Sequence, residues 1–343
     1  MSWLTGLPER ARAVLPAPVF EYVDTGARDG LSAREAGWSG VRFLPHVLRD
    51  VTDVSLAVTL LDRPAAVPWG VAPTTLQRAV HPEGELAMAR ACAAAGSVLV
   101  VSSNAGTPFA EIGSTGVRWW LQVYLPADRT LAEPVLERAV AAGAEAVVLT
   151  VDTPVVGTKY PTGEQVVWDV VDPAFVRVNF DPGHDELPGG EKATDLGPHD
   201  LGWLAEVSGL PVVVKGVLRA DDARRCVQAG ARAIWVSNHG GRQLDRAATT
   251  ASALPGVVEA VRGEAEVYVD GGVRSGLDVL AALALGADAV FLGRLPVWAL
   301  VDGEAGVARL HAELREETTD AFRLAGCRIP ADTRGIAVVP ERP

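Results

Sequence analysis

Three stretches share one pattern: AGAEAVVLT at 142–150, AGARAIWVS at 229–237 and LGADAVFLG at 285–293. In each, a glycine (Gly143, Gly230, Gly286) closes a helical pattern, as a residue that ends a helix in a left-handed conformation does. The apolar run after it is short and does not alternate, which fits a strand covered on both faces. Gly96-Ser97 before Val98-Leu99-Val100-Val101-Ser102 is a looser copy, and further apolar runs lie at 67–72, 119–123, 211–214 and 266–269. Together they give eight strands, most separated by a helix. Repeated strand–helix units imply a parallel sheet, and eight of them over this length predict a closed (β/α)₈ TIM barrel (α/β class) rather than an open doubly wound sheet. No GxGxxG follows the first strand, which also counts against the open alternative.

The helices between the strands carry their own signals. Ser275 and Asp278 make a capping-box start, after which Leu277, Leu280, Ala281, Ala284 and Leu285 share one helical face. Ala223, Cys226 and Val227 do the same before Gly230. A single domain is expected over 1–343, with a mainly helical N-terminal extension at 1–66, the barrel at 67–300, and C-terminal helices and a tail at 301–343. The stretch 153–198 after the fourth strand is rich in Gly, Pro and Asp, with one short hairpin expected near Gln165-Val166-Val167-Trp168. So long a connection in a compact domain is usually functional, and it reads as a lid.

Bulk composition narrows the function. Of 343 residues, 48% are hydrophobic and 22% charged, which suits a globular protein. Acids outnumber Lys+Arg by 43 to 31, and the resulting charge of −12 argues against nucleic acid or an anionic membrane as the main partner. Cys92, Cys226 and Cys327 have no metal-ligand spacing and suit a reducing cytoplasm. The start, MSWLTGLPERARAVLPAPVF, lacks the apolar core of a signal peptide, and no stretch is apolar enough to span a bilayer.

Chemistry in such barrels sits at the C-terminal ends of the strands. In chain order these carry Pro73, Thr74 and Thr75; Ser102, Ser103 and Asn104; Gln122 and Tyr124; Thr150 and Asp152; Lys215; Ser237, His239 and Arg242; Asp270, Gly271, Gly272 and Arg274; and Gly293 and Arg294. The last two loops pair glycines with Arg274 and Arg294, the form of a phosphate site. Lys215 ends an apolar strand, so its ammonium needs a partner at the mouth, either as a Schiff-base lysine or as a fixed cation beside a developing anion. Asp152 and His239 are placed to form a carboxylate–histidine general base.

These residues lie in motifs of high specificity: SNHGGRQLD at 237–245, VKGV at 214–217, DGGVRSGLDV at 270–279, LGR at 292–294, LTVDTP at 149–154, LQVY at 121–124 and HPEGE at 81–85. Through them the chain resembles the FMN-dependent 2-hydroxy-acid oxidases and dehydrogenases, the glycolate oxidase, lactate oxidase and mandelate dehydrogenase group, from about residue 17 to about residue 328. The resemblance implies FMN as cofactor, a small-molecule 2-hydroxy acid as substrate, O₂ or another acceptor for its electrons, and a homo-oligomer, often a tetramer. It implies His239 as the base near the substrate hydroxyl, supported by Asp152, and Arg242 on the substrate carboxylate. Tyr22 and Tyr124 resemble the family's substrate-binding tyrosines, with Tyr124 beside the reacting group. Lys215 is implied at the flavin N1/O2 edge, and Pro73, Thr74, Thr75, Ser102, Gln122, Thr150 and Ser237 around the ring. Asp270, Gly271, Gly272, Arg274, Gly293 and Arg294 are implied to hold ribityl and phosphate.

Three positions depart from the family's pattern. Lys159 stands where a second carboxylate-binding arginine is expected, exchanging a planar bidentate clamp for a point charge. Arg177, in the lid, is a candidate replacement. Asn104 stands where the family often has tryptophan, and Thr75 where it usually has Ala or Gly. These changes imply a bulky substrate, an aryl 2-hydroxy acid or a biosynthetic intermediate, rather than glycolate or lactate. The other readings are an FMN barrel that isomerises, a flavin-free barrel with a Schiff-base Lys215, and a flavin protein without catalysis.

Overall fold

The computed structural model describes residues 2–160 and 163–338. Ahead of the barrel come helices Leu7–Val14 and Ala17–Asp24, a short helix Leu31–Arg34, strand β1 (Arg42–Phe43) and a hairpin of β2 (Val58–Leu60) and β3 (Arg63–Ala65). Eight parallel strands then close into a barrel: β4 (Trp69–Val71), β5 (Val98–Ser102), β6 (Trp119–Val123), β7 (Val147–Thr150), β8 (Val212–Val217), β9 (Ala233–Val236), β10 (Glu266–Val269) and β11 (Ala289–Leu292), with β11 returning to β4. After the 23-residue helix Gly303–Ala325, β12 (Ala337–Val338) pairs antiparallel with β1 and ties the tail to the N-terminal extension.

The repeated glycines end helices as the sequence predicts: Gly143, Gly230 and Gly286 have φ of 86°, 95° and 112°. Ser275 and Asp278 close a capping box at the helix Gly276–Ala284. Leu277 does not join the buried face; it lies in the first turn and is exposed, and the apolar stripe begins only with Val279 and Leu280.

The barrel has two apolar layers. Outward-facing strand residues pack against the surrounding helices, while Val98, Val100, Trp120, Val148, Val213, Trp235, Tyr268 and Phe291 fill the interior. Four rings dominate that interior, with Trp235 and Phe291 at 4.1 Å and Trp120 stacked on Tyr268 at 5.5 Å between centroids. The hairpin β2–β3, with buried Leu60, Leu61 and Ala65, joins the same cluster. The N-terminal extension is therefore not only helical. The turn of this hairpin holds Leu61 and Asp62 at φ 48° and 62°, where glycine or asparagine is usual, and so has no sequence mark. It is secured by Glu266, whose carboxylate accepts from the Leu61 N–H at 2.8 Å.

The long connection after β7 holds no hairpin at 165–168. Val167–Val170 is one helical turn instead, begun where Asp169 accepts from the Val166 N–H at 2.9 Å. That local cap outweighs the strand preference of Val166 and Val167.

Gly70 faces the aromatic layer. A Cβ there would meet the Phe291 ring and come within 2.7 Å of the Val98 carbonyl oxygen. Gly70→Ala is expected to cost about 1–3 kcal/mol, as overpacking of a filled core does. Denaturant unfolding checks this; an unchanged midpoint would show that the aromatic layer has slack.

Candidate active site

All eight strands point their C-terminal ends at one cavity of about 1000 Å³. Its wall includes Tyr22, Pro73, Thr74, Thr75, Ser102, Asn104, Gln122, Tyr124, Thr150, Lys159, Lys215, His239, Arg242, Asp270, Gly271, Gly272, Arg274, Gly293 and Arg294. Two expected residues, Asp152 and Ser237, stand behind the wall and act through their neighbours.

The loop after β9 explains the motif there. His239, Gly240 and Gly241 all have positive φ, 57°, 62° and 74°, so the chain coils tightly off the strand. A Cβ on Gly241 would strike the Ser32–Ala33 backbone, so only glycine permits that approach. The coil turns His239 towards β7, where its Nδ1 meets Asp152 Oδ1 at 3.0 Å. Gly216, in the β8 bulge, clears the space, since a Cβ there would lie 2.7 Å from the Asp152 side chain. Burial pushes the Asp152 carboxyl up, but the charge and hydrogen bond of His239, aided by Lys215, bring it below the usual carboxylate range.

Lys215 is fixed as a cation. Its Nζ donates to Ser237 Oγ at 2.9 Å and lies 3.1 Å from Asp270 Oδ2, while Ser237 donates to Asp270 Oδ1 at 2.7 Å. A buried ammonium held by a carboxylate does not suit a Schiff-base nucleophile, which must be neutral.

Arginines bring the N-terminal extension into the site. Arg242 donates to the carbonyls of Tyr22 and Thr25 at 2.7 and 2.8 Å, and Arg294 to that of Val23 at 3.1 Å. These carbonyls lie at the C-terminal end of helix Ala17–Asp24, where cations are favoured. Tyr22 is thereby seated beside Arg242, its ring centroid 5.1 Å from the guanidinium carbon. Burial raises the hydroxyls of both Tyr22 and Tyr124, and at Tyr124 the Asp152 charge adds to it.

The lid supplies Lys159, whose Nζ donates to the Gly157 and Arg242 carbonyls at 3.0 and 3.2 Å. Arg177 lines the cavity with its guanidinium over Phe180, and its backbone N–H donates to the Asn104 carbonyl at 3.4 Å. Thr75 donates to that same carbonyl at 2.9 Å, so two of the departures from the family's pattern are physically joined. Lys192 and Trp168 also line the cavity and were missed from the sequence. Trp168 was masked by the expected hairpin, and nothing in the string around Lys192 places it opposite Tyr124.

Two features call for an anionic, ring-bearing ligand. Among the described residues no carboxylate pairs with Arg242, Arg274 or Arg294, and burial followed by the charges of Arg274 and Arg242 drives Arg294 down to about 9. Gln122 Nε2 and Thr150 Oγ1 are buried in the wall without a hydrogen-bond partner. Arginines with no carboxylate at ion-pair distance, only Asp24 and Asp278 acting through space, beside orphaned ring-binding groups fit FMN.

The comparisons agree. The family model described as FMN-dependent dehydrogenase matches residues 11–338. The chain belongs to the FMN-dependent 2-hydroxy-acid oxidase and dehydrogenase family. It is 40% identical over 335 residues to glycolate oxidase of Spinacia oleracea, covering 93% of this chain and 90% of that one. It is 39% identical over 338 residues to L-lactate oxidase of Nostoc sp., covering 92% of each. A mandelate oxidase structure with benzoyl-formic acid superposes with a TM-score of 0.90 at 39% identity, covering 99% of both chains. The enzyme is therefore an FMN-dependent oxidoreductase with a (β/α)₈ barrel. Among the described residues no helix is long and apolar enough to cross a membrane, and none of the His, Cys, Asp and Glu groups could hold a metal ion.

Arg294→Met is expected to weaken FMN binding about 10- to 100-fold, the worth of a charge-assisted hydrogen bond in a buried site. The recovery of free-flavin fluorescence on dilution measures it. Retention at wild-type affinity would confine Arg294 to bracing the Val23 and Gly240 carbonyls.

Proposed function

We propose that this enzyme oxidises an aryl or otherwise bulky 2-hydroxy acid to the 2-oxo acid, with His239 as base. The observation that carries the reading is the 3.0 Å contact between His239 Nδ1 and Asp152, beside Arg242 in the cavity wall. With Nδ1 held, Nε2 is the nitrogen left to take the substrate's hydroxyl proton. Asp152, kept ionised, fixes the tautomer and stabilises the imidazolium that forms. Arg242 and Lys159 bind the substrate carboxylate, with Tyr22 and Tyr124 packing and hydrogen-bonding around it. When bound, FMN supplies the two-electron acceptor for the hydride equivalent that leaves the α-carbon. Lys215 places a fixed positive charge at the ring, Pro73, Thr74, Thr75, Ser102, Gln122 and Thr150 surround it, and Asp270, Gly271, Gly272, Arg274, Gly293 and Arg294 hold ribityl and phosphate. The bulky substrate is supported by Asn104 at the wall and by the likeness to mandelate oxidase. A cytoplasmic homo-oligomer reoxidised by O₂ or another acceptor completes the proposal; its three cysteines are free thiols.

His239→Asn tests the base. The variant is expected to retain FMN and to lose about 10²- to 10⁴-fold in the rate of anaerobic flavin bleaching by substrate, the range for a positioned general base. Bleaching as fast as wild type would remove His239 from that role.

Lys159 gives a pH signature. Burial, then the Arg242 charge, lowers its amine to about 8. It is a cation below that pH and neutral above it, so its attraction for a carboxylate is lost as pH rises. With a substrate whose side chain is uncharged, kcat/KM is expected to fall as pH passes through about 8. Lys159→Arg, charged throughout, should flatten that limb. An equal fall in the variant would assign the titration elsewhere.

A further inference from the structure

Lys192 is a cation that this chemistry does not use. Its segment is pinned beside the end of β6: Lys192 bridges Pro126, Ala127 N–H donates to the Glu191 carbonyl at 2.8 Å, and Ala193 N–H to that of Leu125 at 2.9 Å. The ammonium sits over the Tyr124 ring, 3.9 Å from its centroid, and faces the cavity. Among the described residues no carboxylate lies within ion-pair distance of it and no acceptor takes a hydrogen bond from it. Asp152 acts on it only through space: its Oδ1 is taken by His239 and Thr153, and its Oδ2 makes no hydrogen bond.

A partly buried ammonium whose nearest partner is a ring face has lost water without gaining an acceptor. Burial, against the opposing pull of Asp152, takes its amine down to about 8, the response of a charge short of a partner. The α-carboxylate already has Arg242 and Lys159. Asn104 and Arg177, whose backbones are hydrogen-bonded to each other, line the same cavity.

We propose that Lys192 forms a second anion subsite, and that the preferred substrates are bulky 2-hydroxy acids whose side chain carries a second carboxylate. This rests on the cavity being a 2-hydroxy-acid site, and adds the chemistry of the substituent. Lys192 is a specificity residue: it binds the distal carboxylate and takes no part in proton transfer.

The test uses the FMN-loaded enzyme and a matched pair, 2-hydroxyglutarate and its uncharged isostere 2-hydroxy-5-methylhexanoate. In anaerobic flavin reduction the diacid is expected to exceed the isostere by about thirtyfold in kcat/KM, the worth of a charge-assisted hydrogen bond. Lys192→Met should erase that advantage while changing the isostere by less than about threefold, within the range of a lost surface contact. Equal use of the two by wild type, or equal loss on both in the variant, overturns the proposal; the latter would put Lys192 on the α-carboxylate. Bleaching by mandelate with neither member of the pair accepted overturns it too, and leaves the 2-hydroxy-acid reading standing. Binding of the two corresponding 2-oxo acids, followed by the visible spectrum of the oxidised flavin, is independent of turnover. Weakening of the diacid alone in Lys192→Met supports the subsite even if no hydroxy acid is turned over, and unchanged binding of both overturns it.

Discussion

The Ser237 hydroxyl accepts from the Lys215 ammonium and from the His239 N–H, and donates to Asp270, all from a position without solvent exposure. A hydroxyl has one donor and two acceptor sites, so these three bonds use all of it. Strands β8, β9 and β10 are thereby locked in one relative position at their C-terminal ends, and His239 leaves β9 in a single direction. The contact with Asp152 extends the lock to β7. Four consecutive strand ends thus hold their side chains in place before any ligand enters, which is the condition for electrostatic stabilisation without reorganisation. A site with this much charge could not be assembled from mobile loops without losing that advantage.

Beneath the site the barrel has the opposite character. Trp120, Trp235, Tyr268 and Phe291 fill the interior, the hairpin β2–β3 joins their cluster, and Gly70 is left without a side chain because the rings take its space. The two layers meet at residues that belong to both: Phe291 lines the cavity, and Lys215 lies 5.4 Å above the Trp235 ring centroid. The aromatic layer is thus a rigid floor to the site as well as a core. A close-packed floor transmits displacement, so a change of volume there should reach the strand ends.

The strands were legible because a parallel barrel repeats one unit, glycine then a non-alternating apolar run, and repetition separates that unit from chance. The strand-end residues were legible for the same reason, since the fold alone sends them to one place. What was not legible depended on contacts distant in sequence. The turn at Leu61-Asp62 has neither glycine nor asparagine and is held by Glu266, 205 residues away. Ser237 reads as one more polar residue facing the cavity, and only its three partners show that it stands behind the wall. Lys192 lies in a segment whose one strand-like contact is an isolated bridge, so no periodicity places it over Tyr124. Val166 and Val167 favour a strand, and a single aspartate three residues on reverses that preference.

The net charge of −12 and the cationic cavity are compatible because they act over different distances. Surface acids are screened within about 10 Å at ordinary ionic strength, whereas buried charges act at close range in a poor dielectric. Arg242, Arg274 and Arg294 crowd together with no carboxylate at ion-pair distance among the described residues, and burial with mutual repulsion, only partly opposed by Asp24, lowers Arg294 to about 9. That arrangement opposes folding of the empty protein, and an anion that settles among the arginines relieves it. A ligand that binds only the folded state stabilises it by mass action, so the cofactor is a structural partner as well as a chemical one. The lid carries Lys159, Arg177 and Lys192 to the other half of the same cavity. On the proposed reading Arg274 and Arg294 of the barrel select the phosphate, while Arg242 and the lid cations Lys159 and Lys192 select the substrate. Substrate preference can then diverge through the lid while the barrel and its cofactor site stay unchanged.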